Sequence, residues 1–93
     1  MKMVTARTIE LGKYMIAEIG IIEGRKTPIF KLFNKQDERI FLGEVKWNSG
    51  WRKYCFYPAE ETLYDSICLL ELVNFIDCTV IAAVNQLERE GVK

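Results

Sequence analysis

Between Leu42 and Pro58 the chain reads LGEVKWNSGWRKYCFYP, and this stretch limits the possible folds more than any other. Apolar and polar residues alternate on both sides of Asn48-Ser49-Gly50, and Gly50 offers the positive φ that a tight turn needs. The spacing therefore predicts a β-hairpin. With those three residues as the loop, Trp47 faces Trp51, Lys46 faces Arg52 and Glu44 faces Tyr54. A two-residue Ser-Gly loop instead sets Lys46 opposite Lys53. Either register opposes two cations on one sheet face, which destabilises by up to about 1 kcal/mol. A flat anionic ligand would relieve that repulsion, so the hairpin is the first candidate site.

Alternating segments precede it. Tyr14 to Ile22 is rich in β-formers, Glu23 to Lys26 reads as a turn punctuated by Gly24, and Thr27 to Lys35 alternates again after Pro28. Gln36 to Arg39 supplies the next turn, and Met3 to Leu11 has a weaker alternation that would add a fifth strand. Connections this short between neighbouring strands predict an antiparallel meander.

Pro58 ends the strands, and the period changes after it. Asp65 is placed to cap a helix that Gly91 stops. Leu69, Val73, Ile76, Val80, Ala83 and Leu87 recur at a 4-3-4-3-4 spacing, with Leu72 and Val84 widening the stripe that should face the sheet. Phe75, Cys78 and Ala82, with Cys68 one turn earlier, then fall on the opposite side, where a helix on a single sheet should be polar. These residues predict a dimer interface, the same patch meeting itself about a two-fold axis. The fold class is α+β: one domain over residues 1–93, with an antiparallel sheet of four strands, five if Met3–Leu11 joins, and one long C-terminal helix packed on one face.

Ninety-three residues suffice for one core. No run approaches the roughly 18 apolar residues that cross a bilayer, and the first residues lack a signal-peptide core. The expectation is a cytoplasmic protein with no membrane partner. Three cysteines (Cys55, Cys68, Cys78) without C-x-x-C spacing, in a chain without histidine, read as buried reduced thiols. No metal, cofactor or catalytic residue is expected, since phosphate loops, nucleophile elbows and ligand clusters are all absent from the sequence. Glu60-Glu61 reads as negative charge favoured ahead of a helix.

The formal net charge is zero, yet Arg25 to Lys53 holds eight basic residues against three acidic, and Tyr54 to Lys93 two against seven. Such a field can steer an anionic partner. Two functions follow. In the first, Trp47, Trp51 and Tyr54 stack unpaired bases while Lys31, Lys46, Arg52 and Lys53 meet phosphates, with Lys35 and Arg39 extending the groove. The protein is then a non-enzymatic single-stranded nucleic-acid binder acting as a homodimer. In the second, the same hairpin is a hot spot for another protein, where Trp, Tyr and Arg dominate contacts.

The hairpin also carries a resemblance. Leu42-Gly43-Glu44-Val45-Lys46-Trp47, then Trp51-Arg52-Lys53-Tyr54-Cys55-Phe56-Tyr57-Pro58, then Thr62-Leu63-Tyr64-Asp65 resemble small phage and mobile-element proteins that share an LGxIKWxxxWRxYxFFP signature. The likeness spans Arg39 to Ile76 and implies a phage-type protein, in a family without an assigned activity. The order of strands and helix is similar to that of PC4-type single-stranded DNA-binding domains, which dimerise; those are basic where this chain is neutral.

Overall fold

A computed structural model describes residues 3–24 and 27–89. Five strands run β1 (Met3–Leu11), β2 (Met15–Ile22), β3 (Ile29–Asn34), β4 (Phe41–Asn48) and β5 (Lys53–Pro58). They pair in sequence order, β1-β2-β3-β4-β5, all antiparallel, so the N-terminal segment does join the sheet. One helix follows in three segments: α1 (Ser66–Asn74), a π-helical stretch (Phe75–Val80) and α2 (Ile81–Arg89). The expected turn residues Arg25 and Lys26, and the expected stop at Gly91, lie outside the described residues, as do the side chains of Leu87, Glu88, Arg89 and Glu90.

Strand alternation sorts the side chains. Met15, Ala17, Ile19, Phe30, Leu32, Val45 and Tyr54 point to the helix and are buried there, with Ile9, Leu42 and Phe56 packed around them. Burying each large apolar side chain stabilises by about 1.5–3 kcal/mol, so this layer is what holds helix to sheet. Phe30 sits at its centre. Its ring meets Tyr54 and Phe75 edge-on, at 6.3 and 5.6 Å between centroids, the arrangement that ring quadrupoles favour.

The linker is tied before the helix starts. The Leu42 carbonyl accepts from the Ala59 amide at 3.0 Å and from the Tyr64 hydroxyl, while the Tyr64 ring stands edge-on to Phe56. Asp65 is the N-cap, as its position predicts, and its carboxylate accepts from the Cys68 amide at 2.9 Å. That bond holds the Asp65 carboxyl below its ordinary value of 3.8. The folded pKa being the lower one, the stabilisation is present above the ordinary value and is lost as pH falls through the folded value. Asp65→Asn keeps a capping oxygen without the titration, so its melting temperature is expected to fall less steeply than wild type's below pH 4 in circular dichroism melts. An identical acid limb in both proteins would remove Asp65 from the acid response.

The helix faces the sheet with Leu72, Phe75, Val80 and Ala83, with Ile76 and Val84 partly buried beside them, so the stripe read from the sequence holds except at its first positions. Leu69 and Val73 are about half exposed, at 49 and 51%. Phe75, expected at a dimer interface, is 3% exposed in the core of its own chain, whereas Cys78 and Ala82 are exposed as expected. The π-helical stretch explains the mismatch. Winding one extra residue into the turn lets Phe75 and Val80, five apart, both reach the sheet. Beyond it the expected stripe resumes, with Val80 and Ala83 facing inward. The cysteines differ too: Cys55 and Cys68 are half-buried and Cys78 is exposed.

Glu71 fixes the middle of the helix to the β1–β2 turn. Its Oε2 accepts from the Lys13 amide at 3.2 Å, and it packs where a Cβ on Gly12 would stand. Gly12, at φ +62°, serves both the turn and this close approach.

Candidate functional site

The hairpin forms, three residues out of its expected register. Asn48 pairs with Lys53, Trp47 with Tyr54, Lys46 with Cys55 and Glu44 with Tyr57. Ser49 to Arg52 make the turn, and Asn48 organises it: its carbonyl accepts from the Arg52 amide at 2.7 Å and its Oδ1 from the Trp51 amide at 2.8 Å. The left-handed position falls on Arg52, at φ +57°, rather than on Gly50. An Asn that bonds to its own following amides competes with the glycine signal.

This register removes the opposed cations and divides the expected site. Trp47 and Tyr54 lie on the helix side, their rings edge-on at 5.5 Å. Lys31 and Lys46 lie on the other side. Trp51 and Arg52 stand in the turn, and Lys53 opens β5, exposed. The expected gathering of rings and cations on the outward face therefore does not occur.

The outward face is instead a row of alternating charge. Thr8 pairs with Glu18, Glu18 with Lys31, Lys31 with Glu44 and Glu44 with Tyr57. Opposite charges across neighbouring strands stabilise a sheet by roughly 0.2–1 kcal/mol a pair. Lys46 reaches Glu44 at 3.4 Å and lies over the Tyr57 ring at 4.7 Å, and Lys35 reaches Glu10 at 2.8 Å. Three carboxylates (Glu10, Glu18, Glu44) thus stand among three ammonium groups (Lys31, Lys35, Lys46). Arg39, further along, is held by Asp37 at 3.1 Å. Cations engaged this way give a phosphate chain little net attraction.

Exposure lies elsewhere. Leu63, Ile67, Leu69, Leu70, Val73 and Ile81 are all exposed along the linker and the helix, Leu63 at 96%. The expectation that no segment is apolar enough for a bilayer is also corrected. Ser66–Gln86, 21 residues long, meets that measure by length and composition, its most apolar 18-residue window having a mean hydropathy of 2.1. Only 22% of its most apolar window is buried, so contact with the sheet does not account for its apolar character. Large apolar residues exposed outside the sheet contact need cover of their own. The patch continues toward the hairpin tip, where Trp47, Tyr54, Ile76, Asp77, Ile81 and Val84, with Arg52 and Lys53 at the rim, line a cleft of about 460 Å³. Trp51, within the turn itself, is 71% exposed.

The charge at the start of the helix is negative: Glu60, Glu61 and Asp65 are exposed there. Burial pushes the Cys68 thiol up, and the Asp65 carboxylate beside it adds to the effect, so Cys68 stays protonated near neutral pH. Among the described residues, no three of Cys, Asp and Glu come together as a metal site. The sequence spacing missed the helix patch because a continuous 3.6-residue period placed Leu69 and Val73 inside. The signal that could have found it was Leu69-Leu70 beside Ile67, more apolar residues than one face can bury. No protein-family model matches the chain, and neither the curated proteins nor the solved structures contain a match.

Proposed function

We propose that this chain is a non-enzymatic protein-docking module whose contact surface is the outer face of the helix, continued by the hairpin tip. The observation that carries the reading is the row of exposed large apolar residues from Leu63 to Ile81. Monomeric soluble proteins seldom leave such a surface contiguous and uncovered. Trp47, Trp51 and Arg52 beside it are the residue types that dominate protein contacts. The hairpin is then one end of the surface rather than the whole of it.

The test is photo-cross-linking in cells that make the protein, with p-benzoylphenylalanine in place of Leu70 or, as control, Thr8 on the outward sheet face. A discrete adduct is expected from position 70 and none from position 8. Adducts from both or from neither overturn the reading.

The single-stranded nucleic-acid reading keeps one observation, Trp51 exposed beside Arg52 and Lys53. Anisotropy with a labelled oligonucleotide across a salt series separates the two. Phosphate contact makes affinity fall steeply as salt rises, and a W51A variant that loses such binding would move the function to the turn.

A further inference from the structure

The docking face is apolar over most of its length, interrupted by exposed Asn74 and Asp77, and its two ends differ in charge. Exposed Glu60, Glu61 and Asp65 stand beside Leu63 and Ile67, where the helix begins. Arg52 and Lys53, two cations against the one carboxylate of Asp77, line the cleft that reaches Ile81, about four helical turns further on. From Ser66 to Gln86 the helix contains no Lys or Arg, only Glu71 and Asp77.

We propose that the occupant of this face is a second copy of the same chain, its helix laid antiparallel about a two-fold axis near Val73. The proposal rests on the docking reading above. Turned end for end, one copy brings its acidic helix start against the basic hairpin tip of the other. The two-fold repeats that match at the far end, so a single patch supplies both halves of the interface. Leu63 and Ile67 of one copy meet Ile81 and Trp51 of the other, while Leu70 and Val73 pack close to the axis. A parallel pairing fails on charge, since it sets each basic tip against its own counterpart. A lipid surface fits less well, because interfacial helices bring Lys and Arg to the headgroups and this one brings carboxylates.

Light scattering on the wild-type protein is expected to give about 21.6 kDa, twice the 10.8 kDa of one chain. Reversing the tip (R52E with K53E) or the helix start (E60K with E61K) makes both ends of the pair repulsive. Each double variant is expected to weaken self-association by about tenfold or more. Mixing the two variants restores the dimer, because acid then faces base at both ends. A parallel pair would not be weakened by either variant alone, since each merely exchanges one like-charge contact for another.

A monomeric wild type at millimolar concentration overturns the second copy, and so does a variant mixture that stays monomeric while wild type dimerises. Co-sedimentation of wild type with phosphatidylcholine vesicles overturns it in favour of lipid. A position-70 adduct at a mass other than two chains overturns the second copy but leaves the docking reading standing. Absence of any position-70 adduct removes both.

Discussion

Phe75→Ala is expected to cost about 3–5 kcal/mol of stability, the range for emptying a buried phenylalanine site. Phe75 is 3% exposed, and its ring stands edge-on to Phe30, which has no exposed surface at all. Removing the ring leaves Phe30 and Tyr54 lining a void in the aromatic cluster that sheet and helix share. In a domain of this size each kcal/mol lowers the melting temperature by roughly 4–8 °C, so a fall of about 12–40 °C is expected by circular dichroism. Cys78→Ala, on the exposed side of the same helix, should change it little. A loss below about 1 kcal/mol for Phe75→Ala would return that ring to the surface, where the unbroken 3.6-residue period puts it.

Gly43→Ala is expected to be nearly as damaging through a different cause. Gly43 has φ +146°, a conformation that side chains disfavour, and lies between Leu32 and Pro58 in neighbouring strands. A Cβ there would stand 2.5 Å from the Tyr57 carbonyl oxygen and 2.9 Å from Pro58 Cα. Both are backbone atoms, so relief requires β4 and β5 to separate. Strain of about 1–3 kcal/mol and overpacking of similar size together predict a loss of about 2–6 kcal/mol in denaturant titration. Amide exchange at the β4–β5 ladder should quicken with it. An unchanged midpoint with unchanged exchange would show that the strand pair opens at no expense.

The architecture was legible because each strand announces itself locally. Alternation in Met15–Ile22 and Ile29–Asn34, Pro58 as a stop and Asp65 as a cap all act within a few residues. The hairpin register was not, because the loop depends on Asn48 bonding to Trp51 and Arg52, and Asn-Ser-Gly advertises glycine as the left-handed residue. Three residues of register moved Trp47 from opposite Trp51 to opposite Tyr54 and dispersed the aromatic-basic face. The helix failed likewise at one place. The π-helical turn over Phe75–Val80 breaks the count, so spacing alone exchanged Phe75 with its exposed neighbours before the break and agreed again after it. Lys31 was visible as a cation, but its carboxylate neighbours Glu18 and Glu44 become visible only once strands are paired; Glu44, two residues from Lys46 on one strand, was legible as that lysine's neighbour.

The nearest-neighbour order of the sheet bears on how the molecule assembles in time. Each hairpin can close from the one before it without long chain excursions, which keeps contact order low for a β-rich protein and favours rapid folding. The helix comes after every strand in synthesis and finds its platform already built. Its apolar surface is thus exposed only briefly on the sheet side; on the other side, under the proposed pairing, it stays uncovered until a second copy binds at sufficient concentration. Nascent chains at low abundance would then be the most vulnerable to aggregation and proteolysis, and accumulation of the protein would protect it.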